Sequence, residues 1–208
     1  MNSCSPKVQW LVWGLLAIVI AAIGAAYLRS ERTPPLPTLG EVGSFSLTNQ
    51  SGGVTTAADL KGKVWLANVI FTRCAGPCER LTRDMKQIQS ALQDRQDEVS
   101  FLSLTADPEH DTPEVFRKYA ADRSIPEANW HFVSSDKPTL YTLATKQFLF
   151  VVVENTDRKP DEDLFIHSTR FAVIDREGRI RAYVDGGETN SVQDAVAALR
   201  RLLKEPKR

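Results

Sequence analysis

Cys74 and Cys78 are the residues of this chain best suited to chemistry, because two nearby thiols can close a disulfide or share one soft metal ion. Three residues, Ala75, Gly76 and Pro77, separate them. Thioredoxin-type redox pairs are separated by two. The extra residue widens the loop, so the sulfurs can also stand apart around a metal. Paired thiolates prefer Cu(I), or Zn(II) where coordination is filled to four. Cu(I) is satisfied by three ligands, so one further nitrogen or sulfur would complete it. Gly76-Pro77 marks an exposed turn, which argues against a pair of inert core thiols.

Few residues qualify as the third donor. His110 precedes a helix start and reads as a solvated loop histidine. His131 follows Trp130 in a short apolar run and reads as structural or surface. Met85 falls on the apolar stripe of a helix and reads as core. His167 stands at the mouth of a hairpin, after the polar loop Asp157–Asp163. In a thioredoxin fold that mouth lies beside the thiols, so position makes His167 a candidate without deciding the matter.

The elements that must position these residues follow from periodicity. Val64 to Phe71 is an apolar run broken by Asn68, the pattern of a strand buried on both faces, and the cysteines follow at once. Leu81, Met85, Ile88 and Leu92 then form one helical stripe. Val99–Thr105 reads as a second strand. Asp111-Thr112-Pro113-Glu114 starts a helix that ends near Ala121, with a capping residue and proline in its first turn. Trp130–Val133 is a short strand. Asp136-Lys137-Pro138 opens a helix with Leu140, Leu143, Ala144 and Phe148 on one face. Thr169–Ile174 and Arg179–Val184 form a hairpin. Val192, Ala195, Val196, Leu199, Leu202 and Leu203 make a closing amphipathic helix. Ahead of all these, Phe45–Thr48 and Val54–Thr56 flank Gly52-Gly53 as a small hairpin. The order describes an α/β, thioredoxin-like fold, a central mixed sheet flanked by helices. Thiols at a strand-to-helix junction meet a helix N-terminus, which favours thiolate.

Trp10 to Leu28 carries no charge and, as a helix, spans about 28 Å at roughly 1.5 Å per residue, near the ~30 Å hydrocarbon core. It reads as an uncleaved membrane anchor over residues 10–28, behind a short tail at 1–9. A cleaved signal peptide ending near Gly24-Ala25-Ala26 is the alternative, although the run is long for a signal core. Cys4 lies before the apolar run, the wrong side for a lipoprotein cysteine. Lys7 on one side and Arg29, Glu31 and Arg32 on the other give no orientation by charge. A proline-rich linker follows over 29–44, stiff from Thr33 onward. The soluble domain is expected over 45–204, with a tail at 205–208.

The 208 residues hold 26 basic and 26 acidic side chains, and beyond residue 32 the balance is 23 to 25. A nucleic-acid binder needs a basic footprint that this chain lacks. About 176 residues beyond the anchor suffice for one hydrophobic core, so the cysteines are not needed as staples.

Taken together, Phe71-Thr72-Arg73-Cys74-Ala75-Gly76-Pro77-Cys78, Asp107-Pro108-Glu109-His110-Asp111-Thr112-Pro113-Glu114 and His167-Ser168-Thr169-Arg170-Phe171 with Asp175 and Gly178 resemble the Sco/SenC family. So does the entry Phe45-Ser46-Leu47 with Leu60-Lys61-Gly62-Lys63-Val64-Trp65. The resemblance covers roughly residues 45–201. It implies a thioredoxin-like fold with an N-terminal hairpin. It also implies one copper ion held by Cys74, Cys78 and His167, and Cys74–Cys78 as a redox-active pair. The implied role is building the binuclear copper centre of cytochrome c oxidase, with the copper-receiving oxidase subunit as partner and the membrane as anchor. That places the soluble domain on the extracytoplasmic side. Asp107 or Asp111 is expected to shape the site. Glu79 stands where the family usually has proline, a position in the first helical turn that tolerates either.

Two function classes remain. One is a copper chaperone that turns nothing over. The other is a membrane-anchored thiol–disulfide oxidoreductase that reduces partner cysteines through Cys74 and Cys78. His167 separates them, since thiol exchange does not need it and a three-ligand copper site does.

Overall fold

The computed structural model describes residues 6–30, 34–74, 76–157 and 164–206. Cys4, Ala75 and most of the polar loop Asp157–Asp163 lie outside the described residues. Two compact units divide at residue 35: Met1–Pro35 and Leu36–Arg208. The first contains one helix, α1 (Pro6–Ser30), which extends beyond the apolar run at both ends. Its Lys7–Gly24 stretch is long and apolar enough to cross a membrane.

The second unit is built on an eight-stranded mixed sheet. Its strands are β1 (Gly40–Glu41), β2 (Ser46–Asn49), β3 (Val54–Thr56), β4 (Val64–Ile70), β5 (Val99–Thr105), β6 (Trp130–Ser134), β9 (Arg170–Ile174) and β10 (Arg179–Asp185), in the spatial order β1-β10-β9-β4-β5-β6-β2-β3. β4, β5 and β6 run parallel, with Val64 opposite Val99 and Phe101 opposite Trp130. β9 lies antiparallel on the other side of β4, pairing Ala67 with Ala172. Every residue of β4 and β5 is buried, as the unbroken apolar runs require of strands covered on both faces. Asn68, the polar break, faces Ser103 across the ladder and accepts its hydroxyl at 2.7 Å. Trp130 Nε1 donates to the same Ser103 oxygen at 3.0 Å.

The helices are α2 (Ala57–Leu60), α3 (Pro77–Ala91), α4 (Pro113–Asp122), α5 (Lys137–Thr142) and α6 (Ser191–Leu203). α3 packs against α6 and buries the expected stripe of Leu81, Met85, Ile88 and Leu92. On α6, Ala195, Leu199, Leu202 and Leu203 are buried, with Val192 and Val196 at the margin. Caps match the sequence. Thr112 accepts from Val115 N at 3.4 Å, and Asp136 accepts from Thr139 N at 3.0 Å. The closing hairpin turns at Asp175–Gly178, where Gly178 adopts φ 85°, a conformation that glycine enters without steric cost.

Three features differ from the sequence reading. The helix opened by Asp136 ends at Thr142 and continues as one wide turn, Leu143–Gln147, before Leu149 at φ 53° swings the chain away. That turn leads into a second, two-stranded sheet of β7 (Val152–Glu154) and β8 (Phe165–His167), which periodicity did not reveal. The proline-rich linker is docked from Leu36 onward. Buried Arg181 donates to the carbonyls of Leu36 and Pro37 while pairing with Asp175 at 2.9 Å and Glu205 at 3.0 Å. β1 then adds to the edge of β10.

Candidate metal centre

The site forms where β4 ends. Phe71–Arg73 leave the sheet, and α3 begins at Pro77, which places Cys78 in its first turn. Gly76 occupies the N-cap and has no side chain to satisfy the first N–H groups. Cys74 Sγ takes that place, accepting from Cys78 N at 3.5 Å. Cys78 is buried, and its sulfur accepts from Phe71 N at 3.4 Å. Cys74 and Cys78 are not joined in a disulfide, and Cys74 is half-buried.

His167 arrives from the end of β8. Its Nε2 lies 3.2 Å from Cys78 Sγ, and its Nδ1 lies 3.0 Å from the Ser168 carbonyl. A carbonyl only accepts, so that bond places a ring proton on Nδ1 and turns Nε2 to the sulfurs, where it can donate to a thiolate or, without a proton, bind a metal. Phe71 meets the imidazole edge-on, ring centroids 5.6 Å apart, and is itself packed edge-on against Phe165 at 5.2 Å. The donor atoms of Cys74, Cys78 and His167 lie within 4.8 Å of one another, and among the described residues they form the group suited to a metal.

The Cys74 thiol is pushed down to about 5. The hydrogen bond from the Cys78 thiol is the main cause. Burial opposes it, and the His167 ring and the backbone N–H groups of Cys78 and Gly76 add to the lowering. The site therefore carries a thiolate at neutral pH, the form that attacks disulfides and binds soft metals.

Both expected acids buttress the thiol loop from below. Buried Asp111 accepts from Thr72 N at 3.1 Å, Thr72 Oγ at 2.5 Å and Thr105 Oγ at 2.6 Å. Burial pushes its carboxyl up, against the hydrogen bonds that pull it down. Asp107 pairs with Arg73, the residue before Cys74, at 2.5 Å. Glu79, the departure from the family pattern, pairs with Arg123 of the α4 C-terminus at 2.7 Å and lies on the surface.

The other candidate donors are elsewhere. His131 sits on β6 opposite Leu102, and burial followed by nearby Lys63 pushes its imidazole down. His110 stays in the turn before α4, donating its N–H to the Asp107 carbonyl at 3.1 Å. Met85 is fully buried under the sheet, with Ser103 Oγ 3.8 Å from its sulfur. The sequence reading did not assign Thr72, Arg73 or Thr105 a part in holding the loop. Thr105 is one of three hydroxyl-bearing residues on its strand, with Ser100 and Ser103, so residue type alone did not single it out.

A thiol pair at a strand-to-helix junction, one of them a thiolate, faced by a histidine nitrogen, defines a thioredoxin-like protein built for soft-metal or thiol chemistry. The chain belongs to the SCO1/SenC family, whose model matches residues 35–204. It is 29% identical over 192 residues to the SCO1 protein homolog of Bacillus subtilis, covering 91% of this chain and 94% of that protein. It is 29% identical to BsSco, a member of the Sco family of cytochrome c oxidase assembly proteins whose structure identified a disulfide switch. There the TM-score is 0.71, with 83% of this chain and 99% of that chain covered. Bradyrhizobium japonicum ScoI, solved with copper bound, shares the fold at TM-score 0.66 and 23% identity, covering 78% of this chain and 99% of that chain.

Proposed function

We propose that this protein is a membrane-anchored copper chaperone that binds one copper ion through Cys74 Sγ, Cys78 Sγ and His167 Nε2. Its cargo would pass to the copper-receiving subunit of cytochrome c oxidase, at the binuclear copper centre. The convergence of two sulfurs and one nitrogen within 4.8 Å carries the reading. Soft sulfur donors select Cu(I) over harder ions, and an imidazole completes a three-ligand set. Family membership supports the link to oxidase assembly, which is said of BsSco. Burial of Cys78 beside half-exposed Cys74 and His167 favours holding the ion at a mouth open to a partner.

The anchor reading rests on α1 and the 10–28 apolar run, which support a single-pass protein. The side follows from the copper role alone: supply to an oxidase copper centre, by a dithiol that cycles between redox forms, puts the domain outside the cytoplasm. A reporter fused after Arg208 should work only when it requires export. Strong activity of a cytoplasm-only reporter would overturn this topology.

One observation favours a second reading. The low Cys74 value suits thiol–disulfide exchange. The Cys74 thiolate would attack a partner disulfide and release one partner thiolate. The Cys78 thiolate, after losing its proton, would then displace the second, leaving a Cys74–Cys78 disulfide and moving two electrons to the partner. The deciding experiment measures Cu(I) affinity, by competition with a chelator, and reduction of a partner peptide disulfide in wild type and His167→Ala. Weakened copper binding with intact exchange supports the chaperone. Unchanged copper binding removes His167 as a ligand and leaves the oxidoreductase.

A further inference from the structure

Gly186 stands between the two elements that carry Cys78 and His167. It follows β10, and a methyl group on it would lie 2.3 Å from Leu81 Cδ2, 2.6 Å from the Thr169 carbonyl oxygen and 3.2 Å from Phe171 Cε2. Carbon–carbon contacts are comfortable at about 3.5–4.0 Å, so no side chain fits without movement. Its φ is not in the left-handed region, so the requirement is for space.

The two nearest atoms define what would move. Leu81 lies one helical turn after Cys78 on α3, on the same face. Thr169 lies two residues after His167, and its carbonyl accepts from Gly186 N at 2.9 Å. The same turn ties the segment down again, where Thr169 Oγ donates to the Asp185 carboxylate at 3.0 Å and Gly187 N donates to it at 2.9 Å. On its other side the segment is held by the β7–β8 ladder, where His167 pairs with Val152 and Ser168 N donates to the Val151 carbonyl at 2.8 Å. His167 therefore sits on a short strap fixed at both ends. At the Gly186 end, the strap touches the helix of Cys78 through a residue with no side chain.

We propose that Gly186 is a positioning residue for the metal centre: its missing side chain lets the His167 strap close on α3 and sets the 3.2 Å approach of His167 Nε2 to Cys78 Sγ. The proposal rests on the copper reading above. A Cβ at this position pushes against the Thr169 backbone, which cannot rotate away as a side chain does, and moves the imidazole off the sulfurs.

The test is a double-mutant cycle on the full chain in detergent, in a Cys4→Ser background, with Gly186→Ala, His167→Ala and both together. Cu(I) affinity is read by chelator competition, and the His167 Nε2 resonance of the metal-free protein by NMR. Gly186→Ala is expected to weaken Cu(I) binding by about 10–100-fold, the range seen when groups that orient a ligand are lost. It should shift the His167 Nε2 resonance and cause no further loss once His167 is alanine. A Leu81→Ala/Gly186→Ala variant covers the case in which Gly186→Ala does not fold, because it removes the helix clash and keeps the one with the Thr169 carbonyl. It should bind copper more weakly than Leu81→Ala alone. Equal affinity of those two, or equal loss from Gly186→Ala with and without His167, would overturn the proposal while leaving the copper reading intact. Full affinity in His167→Ala would overturn both.

Discussion

The low Cys74 value makes a quantitative kinetic prediction for the reduced Leu36–Arg208 unit, which contains only Cys74 and Cys78. With Cys74 held at about 5, roughly 90% of it is thiolate at pH 6, against about 0.3% of a free cysteine near 8.5. Thiolate fraction alone would make Cys74 about 300-fold faster toward an electrophile. A less basic thiolate is also a weaker nucleophile, and a slope of about 0.45 over 3.5 units costs it a factor of about 40. The net expectation at pH 6 is an advantage of about 7–8-fold over free cysteine. The two profiles should cross near pH 7, about where the free thiol reaches one part in 40 thiolate, and Cys74 should be the slower above it. The assay is the second-order rate of iodoacetamide alkylation from pH 4 to 9, with mass spectrometry to assign the site, since buried Cys78 should lag. The rate should rise through about pH 5 and then level, because an acid with a lowered value keeps its thiolate above that value and loses it below. Cys78→Ala removes the largest cause and should move the half-point up more than His167→Ala does. A half-point above about pH 8 in wild type would refute the account of the site's electrostatics.

Other consequences are sharper in sign than in size. Oxidation to a Cys74–Cys78 disulfide removes both thiolates, so the oxidised protein should bind negligible Cu(I) and regain it on reduction. Equal binding by both forms would exclude a dithiolate site. Ser103→Ala deprives Asn68 and Trp130 Nε1 of their shared buried partner and should cost about 1–3 kcal/mol in urea unfolding, with copper binding unchanged. Asp111→Asn replaces one acceptor oxygen with a donor beneath the thiol loop and should also cost about 1–3 kcal/mol. Because burial raises the Asp111 value, folding favours its protonated form. Its contribution should be largest below about pH 4 and fall as pH rises through the folded value, so the gap between wild type and Asp111→Asn should narrow on that path.

The parallel centre of the fold was legible because its pattern has one physical meaning. A run such as Val64–Phe71 can be covered on both faces only inside a sheet, and the β4–β5–β6 ladder lies where such runs occur. The 3.6-residue stripes of α3 and α6 were equally plain, since each buries one side against the sheet and against the other helix. What escaped is what tertiary contacts decide. β7 and β8 are three residues each, with exposed Val153 opposite Ile166, so their composition carries no alternation that burial could enforce. The docking of Leu36 and Pro37 depends on Arg181, 144 positions away from Pro37, whose charge is satisfied only when Asp175 and Glu205 arrive beside it. No local pattern reports a contact of that kind.

The proposed metal centre divides along the same line. Two of its donors are local: Cys74 and Cys78 announce themselves by spacing, and the strand before them and the helix after them fix where they sit. His167 is not local, since it reaches Cys78 across 89 positions; its place at a hairpin mouth made it a candidate ahead of His110 and His131, and the family resemblance decided for it. Gly186 lies further from legibility, because it acts by what it lacks. Glycine after a strand reads as an ordinary turn, and nothing in the sequence separates Gly186 from Gly187 beside it. A methyl group on Gly187 would meet only the carboxylate of Asp185, at 3.1 Å, whereas one on Gly186 would meet the helix of one ligand and the strap of another. The residues that give a site its donors can thus be found from chemistry, whereas those that set the distance between donors are found only once the elements are packed.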